Sequence, residues 1–342
     1  MAPELIVRTE GRAGRLTLNR PAALNALTHA QCLATQAALE RWRDDPAVAL
    51  VILDGAGPRA FCAGGDIAQI TAAGRAGNFA AGRAFWRDEY RMNVTLARYP
   101  KPIVSFLHGF VMGGGVGYGC HNSHRIAGES LQLAMPECGI GLIPDVGGTW
   151  LLSRAPGAVG LWMALTGARL GPGDALAAGF ADAFVPEAEW DGLKARLCAT
   201  GDPGVIPRHP APEAPQVSQR ARIDRLFAPA TVPGILAALE ADDSPLARAA
   251  LQAMRRNSPL SMASTLALLR PAPASLEAAI RAEFRWVWRA MEQGDFLEGV
   301  RAQILDKDRN PRWRHARPED VTEAEVAAML APLGPDEWEM TA

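Results

Sequence analysis

Hydrophobic positions fall into three patterns along the chain. Residues 4–19 alternate in patches, Leu5-Ile6-Val7 and then Leu16-Thr17-Leu18 across a Gly11/Gly14 turn, which predicts a β-hairpin closed by Arg20-Pro21. Residues 28–43 carry apolar positions at helical spacing, with Thr28 as N-cap and Leu33, Ala37 and Trp42 as the predicted buried face. Continuous apolar runs at 48–53 and 103–107 predict strands covered on both sides. Residues 68–99 are alanine-rich and predict helix in two parts, with Glu89 in the second. Short strands are expected at 125–127, 131–135 and 184–185, and short helices at 148–152, 157–166 and 172–178. Residues 201–215 contain five prolines and can hold neither helix nor strand. Beyond them come helical stretches at 217–227, 233–241, 245–256, 260–270 and 276–292. Strands and helices come first and helices only afterwards, so the chain divides into a mixed α/β core, 1–200, and a linker with a helical extension, 201–342.

Composition narrows the function classes. A chain of 342 residues with 49% hydrophobic and 21% charged residues has ample material for a core. A formal net charge of −2 supplies no global basic field, so nucleic acid is not an expected partner. No apolar run reaches the roughly 18 residues of a spanning helix, so no membrane is expected either. The first residues have no continuous apolar segment of the kind a secretory signal needs. Five cysteines without a CxxC pair read as reduced thiols, and the cytoplasm is the expected location.

The candidate chemistry lies between His108 and Gly148. Gly113-Gly114-Gly115 sits where a strand is expected to give way to a helix, and backbone N–H groups there could meet a ligand without an intervening Cβ. Two such donors aimed at one oxygen would polarise a carbonyl, above all a thioester. Glu137 and Asp145 each follow a proline, among glycines at 139, 141, 147 and 148. A base and an acid, or a nucleophilic carboxylate, could come from that pair if the loop folds them together. A tightly packed turn and two solvated acids would fit the same residues. The glycines match neither a GK[ST] phosphate loop nor a GxGxxG register, and the chain has no GxSxG elbow. Cys120, His121 and His124 lack a carboxylate to complete a metal set, so no metal is expected. Cys62 and Cys138 read as small buried fillers.

Taken together, these segments resemble the crotonase (enoyl-CoA hydratase/isomerase) superfamily. The resemblance is carried by Leu18-Asn19-Arg20-Pro21, Ala23-Leu24-Asn25-Ala26-Leu27, Ala60-Phe61-Cys62-Ala63-Gly64-Gly65-Asp66-Ile67, His108 through Gly115, Pro136-Glu137, Gly141 through Gly148 and Leu165-Thr166-Gly167. It implies an α/β fold, a spiral of ββα units, here with a helical C-terminal region. It also implies an oxyanion hole on the N–H groups of Ala63 and Gly114. Hydratases of the superfamily carry a second catalytic glutamate three residues beyond the oxyanion glycine, and that position is Gly117 here. Asp145 instead matches an aspartate of the 3-hydroxyisobutyryl-CoA hydrolase branch, as do Glu89-Tyr90 upstream and residues 296–302, 306–308 and 311–313 downstream.

The resemblance therefore implies a thioesterase of valine catabolism that releases 3-hydroxyisobutyrate and CoA. Glu137 and Asp145 would be catalytic, and Glu89 would shape the acyl pocket. Leu24, Asn25, Ala26, Gly64, Gly65 and Asp66 would line the path of CoA. CoA belongs to the substrate, and no cofactor is implied. A homo-oligomer, trimer or hexamer, follows from the superfamily habit. An enoyl-CoA hydratase or isomerase, and a non-catalytic binding protein on the same fold, stand as alternatives.

Overall fold

The N-terminal alternation folds as expected: β1 (Leu5–Glu10) and β2 (Ala13–Leu18) pair antiparallel from Leu5 opposite Leu18 to Glu10 opposite Ala13. The computed structural model describes residues 3–340. α1 (His29–Arg43) opens on a capping box, in which Thr28 accepts from the Gln31 N–H and Gln31 accepts from the Thr28 N–H. Its buried face is Cys32, Thr35, Ala38, Leu39 and Trp42, whereas Leu33 is 48% exposed and Ala37 is exposed too. Of the expected stripe, Trp42 is buried and Leu33 and Ala37 are not. Small and polar side chains, Cys32 and Thr35, fill places that hydrophobicity assigns to Leu33 and Ala37.

Three pairs of strands follow, and the members of each pair go to different sheets. β3 (Leu50–Gly55), β5 (Ile103–Leu107) and β7 (His124–Ala127) join one sheet, while β4 (Ala60–Cys62), β6 (Phe110–Met112) and β8 (Gln132–Ala134) form another. With β9 (Ala183–Phe184), the larger sheet has the order β1-β2-β3-β5-β7-β9 and is parallel beyond the hairpin. The smaller sheet is parallel throughout, in the order β4-β6-β8. Such parallel connections need long crossovers. These include α2 (Ile67–Arg75) and α3 (Ala80–Ala97) between the first two pairs, then α4 (Gly114–Cys120) between the second and third. This is the ββα repeat of the expected spiral.

By packing, the chain resolves into two units. The first runs to Gly65 and takes in Asp88–Ala134 and Arg169–Val217. It contains both sheets and α7 (Pro172–Ala177). Its core includes Leu50, Ile52, Val104, Phe106 and Ile126, covered by a helix the hydrophobic pattern did not predict, α8 (Trp190–Thr200). Trp190, Leu193 and Leu197 pack into that core, and the Trp190 ring meets Phe106 edge-on at 5.1 Å between centroids.

The second unit comprises Asp66–Arg87, Met135–Ala168 and the chain from Ser218 onward, and its regular elements are helices. α5 (Gly148–Ser153) and α6 (Val159–Thr166) precede α9 (Arg220–Leu226), α10 (Val232–Glu240), α11 (Pro245–Met254), α12 (Pro259–Leu269) and α13 (Leu276–Gln293). Serines cap three of them: Ser244, Ser258 and Ser275 each accept an N–H from the first turn. α14 (Phe296–Val300) and α15 (Glu323–Leu330) complete the unit and lie beyond the stretches predicted as helix. Among the described residues, no helix is long and apolar enough to cross a membrane.

Candidate active site

The glycine triplet lies in the first unit, at the passage from β6 into α4. Gly113 turns the chain with φ 51°, and every residue of α4 is buried. Two glycines do different work there. A Cβ on Gly115 would stand 2.1 Å from the Cys62 carbonyl oxygen, so the backbones of α4 and β4 can approach only without a side chain. A Cβ on Gly114 would instead stand 2.8 Å from Glu89 Oε1 and 3.1 Å from the Gly65 nitrogen. Gly114, Gly65 and the buried Glu89 carboxyl on α3 therefore share one small space.

Ala63 does not offer the donor expected of it. Its N–H donates to the Leu24 carbonyl at 3.0 Å, a bond made possible by the left-handed turn at Leu24 and Asn25, with φ 53° and 54°. Two residues on, Gly65 brings its N–H beside Gly114, after Gly64 reverses the chain with φ 119° and its carbonyl accepts from Leu27 at 2.9 Å. The physical reason for the correction is pairing: a peptide group already in the Leu24 bond has no proton left for a substrate oxygen.

Asn25 is also corrected. Its side chain is fully buried; Oδ1 accepts the Arg20 N–H, and Nδ2 donates to the Ala56 and Ala60 carbonyls at 3.0 and 2.8 Å. All its bonding capacity on that side goes into tying the 20–26 loop to β4, so it does not line a path for CoA. Leu24 and Ala26 remain half-buried on that loop, and Gly64 is buried. Asp66 is partly exposed at the start of α2, in the second unit.

The acids lie in the second unit. Pro136 starts a single 3-10 turn, Glu137–Ile140, that ends on Gly141 in the left-handed region. Glu137 is 4% exposed, and its Oε2 has no hydrogen-bond partner. Burial and then the neighbouring Asp145 push the Glu137 pKa well above the ordinary carboxylate range, with Glu283 adding to the effect. Asp145, itself 5% exposed, begins a tight turn that its own carbonyl closes by accepting the Gly148 N–H at 2.6 Å. Val146 and Gly147 in that turn have φ 56° and 75°. A β-branched residue at positive φ is strained, and such strain concentrates at working sites.

A third acid, Glu283, was not among the expected residues. It lies fully buried on α13, where Oε2 accepts the Gly147 N–H at 2.7 Å and Oε1 accepts the Thr149 N–H at 2.9 Å and its hydroxyl at 2.5 Å. Burial raises its pKa to about 7 against the opposing effect of these donors. A signal was present in the sequence. Leu276, Ile280, Val287 and Ala290 form a buried stripe along α13, and position 283 falls on it, where an apolar residue belongs. Cys62 and Cys138 behave as fillers: both are buried, and burial pushes both thiols up to about 12.

Unpartnered and strained groups of this kind are costly. The enoyl-CoA hydratase/isomerase family model matches residues 13–330. The zebrafish (Danio rerio) mitochondrial 3-hydroxyisobutyryl-CoA hydrolase is 39% identical over 96% of this chain and 90% of its own length. A crystal structure described as an enoyl-CoA hydratase from Rhodobacter sphaeroides is 57% identical, covers 98% of this chain and 100% of its own, and superposes with a TM-score of 0.96. One described as a carnitinyl-CoA dehydratase from Mycobacterium thermoresistibile is 43% identical over 99% of each chain, with a TM-score of 0.94. With a match this extensive in sequence and in fold, the chain belongs to the enoyl-CoA hydratase/isomerase family.

Proposed function

We propose that the protein hydrolyses 3-hydroxyisobutyryl-CoA to 3-hydroxyisobutyrate and CoA, as the name of its zebrafish relative describes for that enzyme. The observation that carries this reading is the buried pair Glu137 and Asp145, together with the lack of any carboxylate on α4, where position 117 is glycine. Two-glutamate hydration has no second glutamate to draw on there. Thioester cleavage needs only one carboxylate at the carbonyl and one group to manage protons.

In this proposal the N–H groups of Gly65 and Gly114 receive the thioester oxygen as it gains charge. One such donor is commonly worth about 3 kcal/mol in the transition state. The Glu137 carboxylate, made more basic by burial, either attacks the carbonyl carbon or takes a proton from an attacking water. On the first branch an anhydride forms as the C–S bond breaks, and water then cleaves it. Asp145 orients the water or the acyl 3-hydroxyl and assists transfer of that water's proton to the departing CoA sulfur. Glu89, beside Gly114, limits the acyl chain. Leu24, Ala26, Gly64 and Asp66 remain the proposed path of CoA. The reaction would serve valine breakdown in a reducing compartment; five buried free thiols support the latter, and the cytoplasm is our assignment. A trimer or trimer pair is the proposed assembly.

Hydration or isomerisation of an enoyl-CoA is the second reading, favoured by the names given to the two similar solved structures. Thiol release from 3-hydroxyisobutyryl-, 3-hydroxypropionyl-, crotonyl- and acetyl-CoA separates the two. Release from the 3-hydroxyacyl thioesters supports hydrolysis; hydration of crotonyl-CoA without any thiol release overturns it. A non-catalytic binding protein would do neither. It would also have no use for a buried carboxyl with an unsatisfied oxygen. Single turnover in oxygen-18 water distinguishes the branches, since label enters the Glu137 carboxyl only through an anhydride.

A further inference from the structure

Glu283 occupies a position on α13 where the stripe of Leu276, Ile280, Val287 and Ala290 calls for an apolar side chain. A buried acid there is less favourable than a leucine or methionine unless its oxygens are well used. They are used on one short segment. Oε2 takes the Gly147 N–H and Oε1 takes both the N–H and the hydroxyl of Thr149, so the carboxylate grips the residues just after Asp145 from 134 to 136 positions away in sequence.

That segment has reason to spring open. Val146 is held at φ 56° and Gly147 at φ 75°, and the Gly148 N–H closes back on the Asp145 carbonyl. Release of the Gly147 N–H would let Val146 return to the negative φ that a β-branched residue prefers. The 145–146 peptide would rotate with it and carry the Asp145 side chain along.

We propose that Glu283 is a positioning residue for Asp145, holding the strained 145–149 turn through Gly147 and Thr149 so that the Asp145 carboxyl keeps its working orientation. The inference rests on the reading that Asp145 serves thioester hydrolysis. Glu283 touches no reacting atom in this scheme and acts only through the turn. Its charge has a second consequence, because the charged groups that act on Glu137 are Asp145 and Glu283.

Glu283→Gln is the test. Its amide can accept from Thr149 or from Gly147 but would set an NH2 against one of their N–H donors. Thiol release by the variant is expected to show kcat reduced about 10- to 100-fold, the range for a slightly misplaced catalytic group, with KM changed less than about threefold. The acidic limb of its kcat/KM profile is expected to move to lower pH, since a like charge near Glu137 is gone. A merely structural glutamate would lower the folded fraction but leave both kcat per folded molecule and the limb in place, and that result overturns the proposal. If Glu283→Gln does not fold, Thr149→Val removes only the hydroxyl donor. A fall in kcat of about threefold or more is expected there, and wild-type kcat with an unmoved limb overturns the proposal. If the native protein releases no thiol from any 3-hydroxyacyl-CoA, the hydrolase reading falls separately. The crystal structure of whichever variant folds then decides: a 145–149 turn unchanged at Val146 overturns the positioning role, and a relaxed one upholds it.

Discussion

The Cys62 carbonyl oxygen lies 2.1 Å from the point where a Cβ on Gly115 would stand, and the obstacle is backbone. Neither strand nor helix can yield without moving β4 or α4. Gly115→Ala is therefore expected to lose on the order of 3 kcal/mol or more of stability, the upper end of overpacking costs, read as a lowered urea midpoint or failure to fold. At Gly114 the nearest atom is the far end of the Glu89 side chain rather than backbone. Gly114→Ala is expected to fold with a midpoint close to native while thiol release falls about 100-fold, because the new methyl intrudes on the space shared with Gly65 and Glu89. Equal losses of stability in the two variants would contradict this division of labour.

Amide exchange tests which N–H groups are available to a substrate. Ala63 spends its proton on Leu24 at 3.0 Å, so its exchange is expected to be slow with or without ligand. Gly65 and Gly114 are expected to exchange faster in the free protein and to slow on addition of a non-hydrolysable acyl-CoA thioether carrying a carbonyl at the thioester position. Ligand-dependent protection at Ala63 and none at Gly65 would restore the donor pair implied by resemblance alone.

What was legible in the sequence was whatever is decided locally. The hairpin, the Thr28 cap of α1, the buried runs in β3 and β5 and the strand-to-helix passage at the glycines each depend on neighbours a few residues away, and each is where the pattern puts it. The misses are tertiary. α8 buries only Trp190, Leu193, Leu197 and Cys198, too thin an apolar face to stand out before the sheet beneath it is known. The face of α1 slipped because Cys32 and Thr35 are buried while Leu33 is not. At the site, the proline and glycine setting singles out Glu137 and Asp145 as candidates, and only the fold decides that both are buried. Ala63 and Asn25 were misassigned because a motif does not reveal that Leu24, Ala56 and Ala60 already occupy their polar groups. Glu283 could have been noticed as an acid on an apolar stripe, but its partners lie 134 to 136 residues away.

Glu137 illustrates a conflict between stability and chemistry. A carboxyl that is 4% exposed, with one oxygen unpaired and another acid acting on it, is unfavourable to ionise. Glu137→Gln removes the charge at nearly constant volume. At pH 8 the variant is expected to be at least as stable as the native protein, by up to about 1 to 2 kcal/mol in urea unfolding, and to lose on the order of 1,000-fold in kcat. Asp145→Asn is expected to fold and to lose about 100-fold or more in thiol release. Full hydrolysis by Asp145→Asn would remove that residue from the chemistry.

The raised pKa of Glu283 makes stability itself pH-dependent, with a definite sign. In the unfolded chain this carboxyl titrates near 4.5, and in the native protein at about 7. Between those values the native state binds the extra proton, so stability falls as pH rises through the window and levels off above it. The displacement corresponds to on the order of 3 kcal/mol for the one group. Glu137, raised for the same reason, adds to the slope in the same direction. Urea midpoints measured from pH 4.5 to 8 are therefore expected to decline, and Glu283→Gln is expected to flatten the curve. The Gln variant should resemble native most at the acid end, where the native carboxyl is also neutral, and differ most at pH 8, where the native group carries its buried charge. A native midpoint that does not fall across this window would mean that the three donors from Gly147 and Thr149 outweigh burial and hold Glu283 ionised throughout.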